Sequence, residues 1–562
     1  MSKYRGLCVV GKSHQYGAGA DALLQPENSS KKYETLFVEI DSGQIKLPMF
    51  QREFVWDKEK SARLIDSILK GYPIGTFILW KTREALRAVK DIGNHSLPST
   101  PKGDYAQFIL DGQQRITSLY AIRKGIRITR DGKEVDYRDI YIDLDRLPGD
   151  EGQVVTIHKV DGRSYLSVHE MLSGKLSELF SRAPGREEVI EGYRAKLTTY
   201  DFPTVTIRDY PIDIACEVFA RINTGGKPLT LFEIMVAMTY DEEAGFDLAK
   251  RYEELLNGSD DGGKCLSDAG FGTIPANTIL QAVAAVAKGS VRGKDILKMS
   301  RAEFIASWTP MTSAVFAAVD FIRENLRVPV SQLLPYPALI VPLSYFFHRN
   351  GKKKVSEEKA RLLRQFFYWV GWHGRYSGST ESLVGEDLRR MEEIASGRAP
   401  RYPLDELFAD PEEMSEIHFS TGASHVKAVL CLLAAETPKS FENGGVVTLD
   451  NSYLKIASSR NYHHFFPKAF VAKKFPGLEP NLLANITLID AGSNNNIGAK
   501  PPSKYVAALR KVNARLPSAL RSHLIDIKTF GLETDDYELF VTKRCAALAA
   551  KMTMYLQAEA ET

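Results

Sequence analysis

Two histidines stand side by side in Asn461-Tyr462-His463-His464-Phe465-Phe466-Pro467-Lys468. Further along, Asn485 precedes the apolar run Ile486-Thr487-Leu488-Ile489, and Asn494-Asn495-Asn496 follows a turn. A neutral imidazole with its ordinary pKa near 6.5 can take a proton from water at neutral pH. A second side-chain ligand pair can hold a divalent cation, which stabilises charge developing on a phosphorus and on its leaving oxygen. An asparagine amide can hold the imidazole in a productive orientation, through its backbone neighbours or its side chain. A lone His pair among aromatic residues would read as the half-buried edge of an aromatic cluster. The ordered His-His, Asn, Asn series with basic flanks reads instead as phosphodiester hydrolysis.

Such residues need two short strands and a helix to bring them together, with one metal ligand on the first strand and one on the helix. That order describes a ββα-metal nuclease core. Between Asn451 and Lys528 there are twelve Lys and Arg against three Asp and Glu, while the whole chain carries only +3. The rest of the chain is therefore net acidic, and the segregation is the footprint of a nucleic-acid-binding domain. A solvated basic face is the plainer alternative.

A second polar cluster lies at Asp111-Gly112-Gln113-Gln114-Arg115. Phe108-Ile109-Leu110 reads as a strand entering a core, Asp111-Gly112 as a turn, and Ile116, Leu119, Tyr120 and Ile122 as one side of a helix. A strand, tight turn and helix start present N–H groups to phosphate. Arg115 can bind phosphate oxygens, the glutamine amides can orient a water or a base, and Asp111 can bind a metal or cap the turn. Gln51-Arg52, boxed by aromatic residues, is a companion pair. The alternative is a buried polar network that braces the corner. Gly6-Leu7-Cys8-Val9-Val10-Gly11-Lys12-Ser13 fits the letters of a phosphate-binding loop. It lacks the buried strand before it and the helix after it, so residues 1–30 read as an N-terminal arm.

The elements around these clusters follow an α/β (α+β) pattern. Leu36–Ile40 reads as a short strand. Asp57 caps a helix to Lys70 that buries Leu64, Ile65, Ile68 and Leu69. Thr76–Trp80, Tyr141–Leu144 and Val205–Ile207 read as strands. Helix resumes at Ile214, and Thr230 with Glu233 forms a capping box for a helix through Met238. The stretch 241–400 is largely helical in period. The organisation expected is an arm at 1–30, a nucleotide-binding domain at 31–240, a helical region at 241–405 and a nuclease domain at 406–562.

With 562 residues, 44% hydrophobic and 25% charged, the composition is that of a soluble multi-domain protein. Five scattered cysteines without a CxxC pair exclude a disulfide framework and a cysteine zinc site, and suit a reducing cytosol. No uninterrupted apolar run reaches the ~18 residues of a membrane span. A cytoplasmic location with no membrane partner is therefore expected.

The segments LPMFQREFVW, LIDSILKGYPIGTFILW, FILDGQQRITSLY and FARINTGGKPLTLFEI resemble the N-terminal DGQQR domain of GmrSD-type type IV restriction proteins. RYSGSTESLVGEDL, HHFFPKAF, NITLID and NNNIGAKPPSKY resemble the remainder of that family, which ends in an HNH nuclease domain. The resemblance implies a ParB/sulfiredoxin-like N-terminal domain that binds or hydrolyses a nucleoside triphosphate. Asp111, Gly112, Gln113, Gln114 and Arg115 fall on its nucleotide loop, with Gln51 and Arg52 on the adjoining signature. A helical middle region and a ββα-metal (HNH) domain would follow. There His464 falls on the general base and His463 on a metal ligand that is more often aspartate. Asn485 falls on the middle Asn and Asn494 on the last ligand, with Asn495 and Asn496 as neighbours in register. The implied cofactors are a divalent metal, Mg or Mn, and the triphosphate. The implied function is nucleotide-regulated nicking or cutting of double-stranded DNA in bacterial anti-phage defence, directed at modified phage DNA. A homodimer is compatible with this. The alternative is a DNA-binding sensor or regulator, or an NTPase, whose HNH domain does not cut.

Overall fold

The computed structural model describes residues 25–47, 56–83, 91–92, 95–98, 104–130, 133–149, 151–210, 212–222, 230–241, 243–259, 262–351, 353–449 and 462–558. The chain divides into two compact units, Met1–Tyr240 and Asp241–Thr562. Gln51, Arg52 and the Gly6–Ser13 look-alike lie outside the described residues.

The first unit is built on a five-stranded mixed sheet. Its parts are β1 (Glu27–Lys32), α1 (Tyr33–Asp41), β2 (Ile45–Lys46), α2 (Lys58–Leu69), β3 (Phe77–Thr82), β4 (Ala106–Asp111), α3 (Gln113–Lys124) and β5 (Asp201–Arg208). The strand order is β1-β5-β3-β4-β2. β5 and β3 run parallel, as do β2 and β4, while β1–β5 and β3–β4 are antiparallel. Ala106 to Leu110 are all buried, as a strand covered on both faces must be. Phe77, Leu79 and Ile109 pack with α1, α2 and α3 on one face. Trp80, Phe108, Leu110 and Ile207 pack with Ala215, Phe219 and Ala237 on the other. β1 is polar and exposed, so no apolar alternation marks it, yet it pairs with β5 along six residues from Glu27. The sheet thus begins inside the stretch read as an arm.

Local signals hold where the chain decides them alone. Asp57 accepts from Lys60 N at 2.7 Å and starts α2, which buries Leu64, Ile65, Ile68 and Leu69. Thr230 and Glu233 form both halves of a capping box. One expectation is overturned: Leu36–Ile40 is not a strand but part of α1. Tyr33, Leu36, Phe37 and Ile40 are buried while Val38 is 60% exposed. That is the i, i+3, i+4, i+7 stripe of a helix, and it includes Tyr33, which lies ahead of the apolar run.

Among its described residues the second unit is helical apart from one small sheet. Its principal parts are α4 (Ala276–Lys288), α5 (Arg301–Glu324), α6 (Ile340–Asn350), α7 (Glu357–Trp372), α8 (Thr380–Ala395), α9 (Ser424–Ala435), β6 (Tyr462–His464), β7 (Ile486–Leu488), α10 (Ala491–Ile497) and α11 (Tyr537–Leu556). By length and composition α5 alone among the described helices could cross a membrane. Here it packs on α4 and α6 through a buried stripe that includes Phe304, Trp308, Met311, Val315 and Val319. α7 packs on both α9 and α11, and Gln365 Nε2 donates to Leu556 O at 2.6 Å. The helical stretch and the C-terminal region therefore share a core.

Candidate active site

β6 and β7 pair antiparallel, with His463 opposite Thr487 and His464 opposite Ile486. α10 follows directly, its Asp490 cap accepting from Ser493 N at 2.8 Å. The strand pair and the helix bring His463 and Asn494 together: Nδ1 of His463 lies 2.8 Å from Asn494 Oδ1. Burial pushes the His463 imidazole down to about 4, so it is neutral at physiological pH and free to act as a ligand. Among the described residues its Nε2 is buried without a hydrogen-bond partner.

His464, the next residue of β6, is only partly buried, and its imidazole is close enough to His463 for its charge to help lower the His463 pKa. Its Nε2 lies 3.0 Å from Asn481 Oδ1. Burial, together with the charge of Lys468, lowers its pKa from the ordinary value and keeps it neutral.

Asn485 is fully buried and grips the backbone that follows the histidines. Its Oδ1 accepts from Phe466 N at 2.8 Å, and its Nδ2 donates to Phe466 O and Pro480 O, each at 2.9 Å. Its own carbonyl accepts from Phe465 N at 2.8 Å. Phe465 stacks on Phe540 with centroids 5.0 Å apart, and Phe466 packs on Tyr537 and Phe540. The aromatic pair after the histidines is thus an anchor in α11, and Asn485 acts through the backbone.

Asn496 is exposed and donates to Glu442, away from the His463–Asn494 pair. Among the described residues no group of three His, Cys, Asp or Glu could hold a metal ion. The 2.8 Å contact is a hydrogen bond from His463 Nδ1–H to Asn494 Oδ1, and a cation held between these two atoms would first have to displace that proton to Nε2. Both groups are neutral, and a cation held by them would be one that accepts imidazole nitrogen, such as Mn, rather than Mg.

The sequence did not single out three buried or partly buried groups here. Asn481 sits in a turn with no periodic signal. His523 is buried, donates through Nε2 to Lys439 O at 2.9 Å and is pushed down to about 3 by burial. Arg544 is fully buried and reaches Ile486 O from α11 at 3.3 Å, buttressing β7 from behind.

At the other cluster, Asp111 ends β4, Gly112 turns, and Gln113 opens α3. Gly112 has φ +92°, and a Cβ there would stand 2.2 Å from the Phe77 ring. Only glycine fits. Arg115 donates to Ile74 O at 2.5 Å, to Thr76 O at 3.0 Å and to Asp111 Oδ2 at 3.0 Å. Its guanidinium also lies over Phe77, 5.0 Å from the ring centre. Arg115 is therefore a brace between α3 and the loop before β3, and most of its fork faces inward. Gln113 and Gln114 are buried. The N-terminal turn of α3 is what this corner can offer a phosphate.

In the RYSGSTESLVGEDL stretch the buried carboxylate is fully used. Buried Asp387 accepts from Arg375, from Tyr376 Oη at 2.7 Å and from Arg390 at 2.6 Å. Both guanidiniums lie over Trp369, about 5 Å from its ring centre.

Residues 33–240 match the family model described as GmrSD restriction endonuclease, N-terminal domain. This supports a GmrSD-type N-terminal domain in the first unit, and with it a restriction endonuclease type of function with DNA as substrate. Over nearly its full length the chain is similar to an uncharacterized protein of Methanocaldococcus jannaschii. The two are 23% identical, over 91% of this chain and 95% of that protein.

Proposed function

We propose that this chain is a metal-dependent DNA endonuclease of the GmrSD restriction type, with an HNH-like centre at His463, His464 and Asn494. The observation that carries this is the ββα arrangement that holds His463 Nδ1 2.8 Å from Asn494 Oδ1, with a neutral imidazole on the next residue. The basic excess of the surrounding segment suits a phosphodiester backbone.

A divalent cation held by His463 and Asn494 would supply positive charge to the phosphate and to the leaving oxygen. His464 takes the proton of the attacking water as the new oxygen–phosphorus bond forms and the bond to the leaving oxygen breaks. Asn485 holds the strand end so that the imidazole cannot drift. Lys468, at the start of the next helix, offers charge to the same backbone.

In this reading the Asp111–Arg115 corner binds a nucleoside triphosphate through the amides of α3 and regulates cutting, with Arg115 bracing the corner. Modified phage DNA is the proposed target, in anti-phage defence. The test is plasmid nicking with Mn: His464→Ala is expected to abolish it and to leave triphosphate turnover unchanged. Wild-type cutting by purified His464→Ala would refute the assignment.

One observation favours a second reading. His463 is only 2% exposed, and among the described residues it belongs to no group of three His, Cys, Asp or Glu side chains. A DNA-binding regulator that does not cut would show DNA binding by the wild-type chain without metal-dependent nicking.

A further inference from the structure

We infer that Asn481 is a positioning residue that locks His464 in the Nε2–H tautomer and thereby presents the Nδ1 lone pair to the attacking water; this rests on the nuclease reading above. Asn481 lies in the turn between the helix Lys468–Lys474 and β7. Its backbone is tied down on both sides. Asn481 N donates to Glu479 Oε1 at 2.7 Å, and Asn481 O accepts from Phe419 N at 2.8 Å. Leu483 N donates to Ile417 O at 2.8 Å, and Leu482 bridges His418. The segment 481–483 is therefore zipped onto 417–419.

That zipper sets the amide. Asn481 Nδ2 donates to Phe419 O at 3.2 Å, which leaves Oδ1 facing His464 Nε2 at 3.0 Å. Turning the amide over would set two oxygens, Oδ1 and the Phe419 carbonyl, against each other with no proton between them. An amide oxygen only accepts, so Nε2 must carry the ring proton of the neutral imidazole. Nδ1 then holds the lone pair. No hydrogen bond occupies that nitrogen among the described residues.

Rotation is limited as well. The Phe419 ring meets the His464 ring edge-on with centroids 6.4 Å apart and packs on Tyr462 at 5.1 Å. Backbone pairing with Ile486 fixes the strand. Asn485 thus holds the backbone beyond His464, and Asn481 holds its ring.

The experiment uses the full chain with Mn and plasmid DNA, and compares Asn481→Leu, which keeps the branched shape and removes the acceptor, with Asn481→Asp, which keeps an oxygen. Asn481→Leu is expected to lower kcat about 100-fold, within the range of a lost general base, with KM for DNA unchanged. Asn481→Asp keeps the acceptor but sets a second oxygen against the Phe419 carbonyl, and should recover only part of that loss. Nitrogen shifts of histidine-labelled protein, assigned against His464→Ala, read the tautomer without any cleavage. They should show Nε2–H in the wild type and in Asn481→Asp, and a mixture in Asn481→Leu. Should Asn481→Leu fail to fold, Asn481→Ala, which only removes atoms, takes its place with the same expectations. An unchanged tautomer with unchanged kcat, or a rise in KM alone, would overturn the assignment. A wild type with the expected tautomer shift in the variant but no nicking under any metal would overturn the nuclease reading and leave the role of Asn481 standing.

Discussion

Replacing Asn485 by alanine removes one side chain and strands three backbone groups: the buried Phe466 N–H and C=O, and the partly buried Pro480 C=O. Each unpaired buried group costs about 1–3 kcal/mol, so the variant should lose about 4 kcal/mol. The unit that contains it runs from Asp241 to Thr562. With an unfolding entropy of about 2.1 cal/mol/K per residue, roughly 0.7 kcal/mol corresponds to one degree at the midpoint. The expected fall in Tm is then about 6 °C for that transition. Asn485→Asp should be no better, because a carboxylate oxygen would replace the donor that faces two carbonyls, and the charge would be buried. Differential scanning calorimetry measures the stability, and nicking well below the transition measures the chemistry. Nicking should fall at least about 100-fold at a temperature where the variant is fully folded, since His464 lies two residues from the released Phe466. A variant that melts within about one degree of the wild type would refute the reasoning, because the three groups would then have found other partners.

Acid sensitivity follows from His523, whose folded pKa of about 3 lies below the ordinary 6.5. The folded state binds fewer protons, so this stabilisation is full above pH 6.5 and is lost as pH falls toward 3. About 2 kcal/mol should be gone by pH 5, and urea titrations of wild type and His523→Gln should differ by that amount in their pH dependence. Gly112→Ala places a Cβ against Phe77 at a positive φ and should destabilise the first unit by about 2–3 kcal/mol, read as a lower thermal midpoint; an unchanged melt would count against the described turn. His463→Asp restores a charge to the ligand pair and should shift nicking from Mn toward Mg; loss of activity with every ion would contradict the ligand role.

The pattern of local signals explains what was legible. Asp57, Thr230 and Glu233 act on N–H groups within a turn of themselves, so their helices could be read from neighbours alone. Phe108 to Leu110 needed only their own apolarity to read as a covered strand. Leu36 to Ile40 defeated that reading, because a short apolar run carries no period and the deciding residues, Tyr33 and exposed Val38, weigh in only with the full helical turn. β1 gave no apolar signal, being held to β5 by backbone pairing and by polar side chains such as Ser29, 2.7 Å from Thr204.

The order of His463, His464, Asn485 and Asn494, the basic excess around them and the glycine at the Asp111 turn were all set by the amino-acid sequence itself. What each polar atom touches was decided only in three dimensions. Arg115 reaches the Ile74 and Thr76 carbonyls, Asn485 grips Phe466 and Pro480, and Asn481 meets His464 across a turn. A hydrogen bond depends on distance and angle between groups that the chain brings together from far apart, and residue type states only that such a bond can form.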